Sequence, residues 1–351
     1  MTTDQGHGDL SWIPIIDLKV FDITKEENEV DRKDLEKVAN DVFKAFSTIG
    51  FVYIKNHGIP QDQIDNIFRL ADDFFAQPQE TKDKLIRPVS EAVGIGYIPG
   101  GREHFVSGKP AVLRESFDVI IGSTYKQLWP SIPNFEQDVV EFHRTCAKLS
   151  LRMLKLIGMG LGLEDQNELL ACHTNLVNWR DNSTTMLRLL TYPPFTEKED
   201  KMPDLTRCAE HTDYGSMSLM FQDSTGGLEV IVLGVTVCWV CHCAWCASVE
   251  YEPGMALTHC VQTVDGEYKP ATPIPGTIVV ILDDMMPRWT SDRLKATLHR
   301  VTPSDKRNTR RSLVYFTDPD SCTIVKPLDG SDTYPPIRYT RYVTQVHMND
   351  F

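Results

Sequence analysis

Apolar positions in the first quarter of the chain switch between two periods. Ile13-Pro14-Ile15-Ile16-Asp17-Leu18 is a short β-like run. From Glu27 to Phe46 the residues Val30, Leu35, Val38, Val42, Phe43 and Phe46 fall near helical spacing, which predicts an amphipathic helix. Gly50 to Ile54 reads as a buried strand, stopped by a turn at Asn56-His57-Gly58 with Pro60 just beyond. Ile64, Ile67, Phe68, Ala71, Phe74 and Phe75 then share one side of a second helix that ends before Pro78. Gly94 to Ser123 is rich in glycine and reads as loop. Asn134 to Leu163 reads as a long helix ending at the cluster Gly158, Gly160 and Gly162.

From Thr184 onward the pattern becomes short β-branched and aromatic runs separated by Pro, Gly and Asp. Met186 to Tyr192, Ser216 to Phe221, Thr277 to Leu282 and Leu313 to Phe316 are the clearest. Short strands with frequent turns predict a sandwich or barrel. The layout is a helical N-terminal half packed on a β-rich C-terminal half. No internal repeat or long low-complexity linker interrupts it, which favours one continuous structural unit.

Charge narrows the function classes. The 351 residues carry 36 Lys and Arg against 49 Asp and Glu, a formal net charge of −13. That balance argues against a nucleic-acid binder or a protein held on anionic lipid. Met1 to Gly8 is polar and lacks the order of a secretory signal, so the expectation is a cytoplasmic protein. Cys146, Cys172, Cys208 and Cys322 are scattered singly, as packed, reduced thiols are. The other five, Cys238, Cys241, Cys243, Cys246 and Cys260, crowd into one stretch.

His211-Thr212-Asp213 is the centre of the candidate chemistry. In a strand, residues two apart point to one face, so His211 and Asp213 could offer a nitrogen and an oxygen to one ion. A third ligand would complete two histidines and one carboxylate, the set that leaves open positions on non-haem Fe(II). His299 is the candidate. Alone, such a triplet is usually a surface turn or a capped helix. Downstream, Arg310 and Ser312 would share one face of a strand and offer a fork and a hydroxyl to a carboxylate. Arg311 must point the other way. The competing reading of Lys306, Arg307, Arg310 and Arg311 is a solvated basic edge.

Taken together, these residues resemble the isopenicillin N synthase-like branch of the Fe(II)/2-oxoglutarate-dependent dioxygenases, from about Ile13 to Thr344. The N-terminal likeness lies in Phe46 to Phe51, Asn56 to Pro60, and Phe74-Phe75 with Pro78, Glu80 and Lys82. The core likeness lies in Leu187 to Pro194, Glu210 to Gly215, Gly226 to Val230, Pro275 to Thr277, Arg288 to Asp292 and Leu298 to Val301. The resemblance implies a mainly β fold, a double-stranded β-helix or jelly-roll core with flanking helices and a helical N-terminal region. It implies an N-terminal α/β region over 1–125, a long helical support over 126–183 and the jelly-roll core over 184–344.

The resemblance also implies roles. His211, Asp213 and His299 would bind Fe(II). Arg310 and Ser312 would hold the distal carboxylate of the co-substrate 2-oxoglutarate, with Tyr192 nearby, and ascorbate would stimulate turnover. The partners implied are O2 and a small-molecule substrate to be hydroxylated, desaturated or cyclised, with release of succinate and CO2. A monomer with no nucleic acid and no membrane is expected. For the substrate, Arg188, Leu228 and Phe316 are candidates, against a strand-edge ion pair for Arg188 and core packing for the other two. Arg114 to Asp118 belongs to a loop that borders the pocket in relatives. Two alternatives stay open. Same-fold Fe(II) oxidases that do not use 2-oxoglutarate also carry Arg-x-Ser, and a non-catalytic metal-binding homologue could have lost its core to an insertion.

That insertion is the stretch at about 231–262. Glu229 and Glu250 bracket twenty residues without Asp, Glu, Lys or Arg. A transmembrane helix fits the length but would part Asp213 from His299. A zinc or copper site could use Cys238, Cys241, His242, Cys243 and Cys246, with His259 and Cys260 in reserve. The favoured reading is an insertion foreign to the fold, a retained intron or gene-model error. Members of the family usually pass from Gly-Gly-Leu-Glu-Val through a short turn to a sequence like Asp265-Gly266-Glu267-Tyr268, whereas roughly thirty residues intervene here.

Overall fold

The computed structural model describes residues 12–86, 95–102, 114–122, 126–178, 183–201, 207–232 and 266–350. Twelve strands make its two principal sheets. They are β1 (Ile15–Asp17), β2 (Phe51–Lys55), β3 (Gly96–Ile98), β4 (Glu115–Ile120), β5 (Met186–Tyr192), β6 (Cys208–His211), β7 (Met217–Gln222), β8 (Leu228–Val232), β9 (Glu267–Pro270), β10 (Thr277–Leu282), β11 (His299–Val301) and β12 (Arg310–Thr317). The large sheet runs β1-β2-β10-β7-β12-β5-β4-β3 and the small one β6-β11-β8-β9. Only β1 and β2 pair in parallel; the other ladders of the two sheets are antiparallel.

Strand alternation separates two cores. On β12, Leu313 and Tyr315 join the core beneath the helices, with Leu187, Leu189, Leu219 and Ile278. Val314 and Phe316 fall on the other face with Leu190, Tyr192, Met220 and Ile281. Leu228, Val230 and Val301 of the small sheet complete that second core, so the two sheets enclose it as a jelly roll does.

Three helices cover the outer face, and a short one braces it. They are α1 (Arg32–Thr48), α2 (Gln61–Phe75), α3 (Gln79–Lys82) and α4 (Phe135–Leu161). Asp31 caps α1 by accepting from the Lys33 N–H at 2.8 Å. Leu35, Ala39, Val42, Ala45 and Phe46 line its buried side, the helical spacing read from the sequence. Gly162 ends α4 in the left-handed conformation at φ 73°, where a side chain would be strained.

The stretch read as loop, Gly94 to Ser123, contains β3 and β4. Two charged residues hid the alternation. Asp118 and Glu115 are tied down by Arg188 and Lys82, the latter pair at 2.6 Å, so their charges do not mark exposed positions. The N-terminal region is therefore more than a helical layer: it supplies four of the eight strands in the large sheet.

Val232 is the register partner of Glu267, so β8 and β9 form an antiparallel pair at the point where the Cys- and Trp-rich stretch leaves the sheet. Ile231 and Val232 belong to β8; residues 233–265, including the cysteine cluster, lie outside the described residues. Among the described residues no helix is long and apolar enough to cross a membrane.

Candidate active site

The small sheet brings two histidines face to face. His211 ends β6, His299 opens β11, and the two are register partners with ring centroids 4.4 Å apart. Asp213 lies beyond the end of β6, in a loop rather than on the strand face expected for it. Its carboxylate still turns back: Oδ1 is 3.5 Å from His211 Nε2 and Oδ2 is 3.9 Å from His299 Nε2. One ligand atom from each of the three residues falls within 4.8 Å of the other two.

Hydrogen bonds fix what these rings present. His211 Nδ1 lies 2.8 Å from the Ala209 carbonyl, and His299 Nδ1 lies 3.2 Å from the Thr297 carbonyl. An Nδ1–H donating to each carbonyl leaves both Nε2 atoms facing Asp213, the arrangement a metal-ligating histidine requires. The Ser218 hydroxyl donates to Asp213 Oδ2 at 2.7 Å. Burial alone would raise Asp213, but His299, His211 and the Ser218 hydroxyl hold its carboxyl well below the ordinary range. Burial, then the charge on His211, push His299 down to about 4, so it is neutral near pH 7. Burial opposes charge on His211, but Cys208 and Asp213 hold its pKa well above the ordinary value, so an incoming metal would displace the Nε2 proton. Two imidazole nitrogens and a carboxylate are then the donor set that suits Fe(II) with positions left open.

A second polar site lies on the inner face of the large sheet. Arg310 is 1% exposed; its Nε donates to the Gly226 carbonyl at 2.8 Å and its Nη1 to Ser312 Oγ at 3.1 Å. Its guanidinium carbon sits 5.0 Å from the Tyr192 ring centre, and Tyr192 is its register partner on β5. Gly226 and Gly227 both take positive φ, 78° and 93°, and a Cβ on Gly227 would lie 2.5 Å from the Thr302 carbonyl. That turn, open only to glycine, aims the Gly226 carbonyl at the guanidinium.

Arg310 Nη2 is buried without a partner, and among the described residues no carboxylate pairs with Arg310. Leaving a buried charged donor unmet costs about 1–3 kcal/mol or more. A ligand carboxylate beside Ser312 would meet it, so the pocket fits the distal end of 2-oxoglutarate. Arg311 takes the opposite face, 2.5 Å from Asp72 and 3.4 Å from Asp223, as the alternation requires.

Arg207 went unnoticed in the sequence, where it resembles any basic residue at a strand start. It is 1% exposed and donates to the carbonyls of Tyr192 (2.9 Å), Asp305 (2.9 Å) and Asn308 (3.1 Å). It thereby ties the end of β5 to the chain entering β12, both walls of the Arg310 pocket. Burial, then Arg310, lower its pKa, so the two guanidiniums feel each other.

The three candidates for substrate contact fall on the inner side. Arg188 forms a fork with the fully buried Asp118, Nε to Oδ1 at 2.8 Å and Nη2 to Oδ2 at 2.7 Å, and its guanidinium carbon is 5.9 Å from the Phe316 ring. Leu228 is fully buried in the second core, and Phe316 is half-buried against it. Nearby, Arg114 Nη1 donates to Cys208 Sγ at 3.5 Å.

Residues 13–132 match the family described as the N-terminal region of the non-haem dioxygenase in morphine synthesis, and residues 251–319 match the 2OG-Fe(II) oxygenase superfamily. The second match includes His299, Arg310 and Ser312. The chain is 29% identical over 330 residues to a proline hydroxylase, buaE, of Petromyces alliaceus, covering 90% of this chain and 91% of that one. It is 28% identical over 301 residues to the 2-oxoglutarate-Fe(II) type oxidoreductase ppzD of Metarhizium rileyi, covering 80% and 75%. A full-length Neurospora crassa protein crystallised with alpha-KG (2-oxoglutarate) superposes with a TM-score of 0.75 at 27% identity, over 95% of this chain and 96% of that one. The same protein has been crystallised with alpha-KG and thymine.

Proposed function

We propose, from the premise that this chain belongs to the Fe(II)/2-oxoglutarate-dependent dioxygenases, that His211, Asp213 and His299 hold the iron and that Arg310, Ser312 and Tyr192 receive 2-oxoglutarate. The protein is an oxidoreductase that uses O2 and 2-oxoglutarate to oxidise a small molecule. Iron held by His211, Asp213 and His299 would supply the redox chemistry for O2, and oxidative decarboxylation of the keto acid to succinate and CO2 would balance oxidation of the substrate.

The observation that carries the residue assignment is the buried, unpartnered Arg310 Nη2 next to Ser312, in the same barrel interior as the three-ligand cluster. Arg310 and Ser312 orient the co-substrate by its far carboxylate. The Gly226 carbonyl and the Tyr192 ring fix the guanidinium so that little freedom is lost on binding. The Ala209 and Thr297 carbonyls keep the Nε2 atoms turned inward. Leu190, Met220, Ile281 and Val314 form an apolar wall that excludes water from the reacting region.

Arg188, Leu228 and Phe316 are our reading of the substrate wall. Asp118 offsets the charge of Arg188, so that wall offers hydrogen-bonding dipoles and an aromatic face rather than net charge. A small polar ring suits such a wall, in keeping with the proline and thymine named for two relatives. The excess of 49 acidic over 36 basic residues supports action away from nucleic acid and anionic lipid. We read the protein as a cytoplasmic monomer with regions 1–125, 126–183 and 184–344. An oxidase working without 2-oxoglutarate is not favoured, and neither is a non-catalytic homologue.

Incubation with Fe(II), 2-oxoglutarate, O2 and a panel of cyclic amides and imino acids, with succinate quantified, tests this reading. Substrate-stimulated succinate that disappears in Arg310→Ala supports it. Substrate oxidation that proceeds without 2-oxoglutarate would overturn it.

A further inference from the structure

Asp213 stands outside any strand, so the direction of its carboxylate depends on what grips the loop from Thr212 to Ser216. Behind that loop lie three more carboxylates, two of them held by tyrosine hydroxyls. Asp283 is fully buried and lies 3.2 Å from the Ser218 hydroxyl, the group that donates to Asp213 Oδ2. Asp284 Oδ2 accepts from the Tyr342 hydroxyl at 2.7 Å. Asp318 is hydrogen-bonded by the side chain of Tyr339, which is 1% exposed.

The same segment docks on the loop through its main chain. The Asp284 N–H donates to the Asp213 carbonyl at 3.0 Å, Met285 N–H to the Gly215 carbonyl at 3.0 Å, and Asp283 N–H to the Ser216 carbonyl at 3.2 Å. Gly215 approaches so closely that a Cβ there would lie 2.4 Å from Asp318 Oδ1 and 3.0 Å from Asp283 Oδ2. Crowding acidic groups beside a buried carboxylate is electrostatically unfavourable. Local packing alone would be better served by neutral residues, so the arrangement calls for a role that needs these acceptors.

Tyr339 and Tyr342 are one turn apart on the terminal helix Tyr339–Asp350. We propose that this helix is a positioning element of the metal centre, with Tyr342 acting through Asp284, and Tyr339 through Asp318, on the loop that aims Asp213. The inference rests on the assignment of His211, Asp213 and His299 as metal ligands. Physically, each tyrosine hydroxyl fixes one carboxylate, that residue's segment fixes the loop backbone, and the loop presents Asp213 to an ion already facing the two histidines. Outer partners of this kind set how well a ligand is oriented.

The test uses the full chain and Co(II) as the probe metal, with affinity followed by its visible absorption and apo stability by thermal melting. Tyr342→Phe keeps the ring packing and removes only the hydroxyl. Tyr334→Phe is the control, because Tyr334 donates to Asp292 Oδ1 at 2.6 Å in another hydroxyl–carboxylate pair. Tyr342→Phe and Asp284→Asn are expected to weaken Co(II) by about tenfold, with apo melting no lower than in Tyr334→Phe, and Tyr339→Phe added to Tyr342→Phe should weaken it further. Wild-type Co(II) affinity in Tyr342→Phe and Asp284→Asn, while His211→Ala fails to bind, would overturn the positioning role. An equal loss in Tyr334→Phe would overturn it too, by showing general destabilisation. Wild-type affinity in His211→Ala would overturn the ligand assignment itself, and the inference with it.

Discussion

Val232 and Glu267 are register partners, although the whole Cys- and Trp-rich stretch lies between them in sequence. The ladder of β8 and β9 is thus complete on both sides of the stretch, and β8 continues to β11 and His299. The four register pairs of the β8–β9 ladder, from Glu229–Pro270 to Val232–Glu267, all lie among the described residues. Joining Val232 to Glu267 through Asn-Gly, a turn matched to antiparallel strands, should leave Co(II) and 2-oxoglutarate affinity unchanged. Titrations of the two forms side by side check this; loss of metal binding in the shortened chain would give the stretch a structural role.

The metal site should respond in graded fashion. His211→Ala or Asp213→Ala removes one of only three protein ligands and should abolish Co(II) or Fe(II) binding. Ser218→Ala leaves the ligands but frees Asp213 Oδ2, and should weaken the metal by roughly tenfold or more. Isothermal titration of the apo protein separates these outcomes.

The two adjacent arginines should differ sharply. Arg310→Ala removes the charged hydrogen bonds that await a carboxylate, worth about 1.5–3 kcal/mol, and should raise the 2-oxoglutarate Kd by roughly 10- to 150-fold with metal affinity unchanged. Arg311 is 39% exposed and pairs with the exposed Asp72 and the largely buried Asp223. The exposed pair contributes only about 0–1 kcal/mol, and neither faces the Arg310 pocket. Arg311→Ala should therefore leave 2-oxoglutarate binding alone. If Arg311→Ala were the more damaging, the strand register would be wrong. Arg207→Gln should fall between them, weakening 2-oxoglutarate through Tyr192 and the Asp305–Asn308 segment.

His57 gives the clearest pH signature away from the site. Burial pushes it down to about 4, with Nδ1 accepting from the Ile59 N–H at 3.1 Å. The unfolded chain takes up this proton near pH 6.5, whereas the folded chain resists until about 4. The stabilisation is therefore present above pH 6.5 and is lost as the pH falls towards 4. His57→Asn keeps an acceptor without a titrating group, so wild type should lose on the order of 3 kcal/mol relative to the variant between pH 7 and 4. Urea unfolding of both proteins across that range measures the gap; a gap independent of pH would mean that His57 takes up its proton as readily in the fold as in the unfolded chain, against the effect of burial.

Much of this architecture is legible in the sequence where one physical signal dominates. The runs Met186 to Tyr192 and Thr277 to Leu282 form strands over those same residues, and Arg310, Ser312 and Arg311 alternate as a period of two demands. Legibility fails where a distant partner overrides the local pattern. Asp118 and Glu115 make β4 look polar because Arg188 and Lys82 are remote in sequence. Asp213 leaves the strand because Ser218 and the Asp283–Met285 backbone hold it in a loop. Arg207 looks like a surface base until the carbonyls of Tyr192, Asp305 and Asn308 close around it.

The most direct test is anaerobic: load the purified protein with Fe(II), titrate 2-oxoglutarate, and follow the weak visible charge-transfer absorption of an iron-chelated keto acid. The account predicts a saturable band, absent in His211→Ala and shifted to higher 2-oxoglutarate concentration in Arg310→Ala. Folded, iron-loaded protein that develops no band at any 2-oxoglutarate concentration would contradict it.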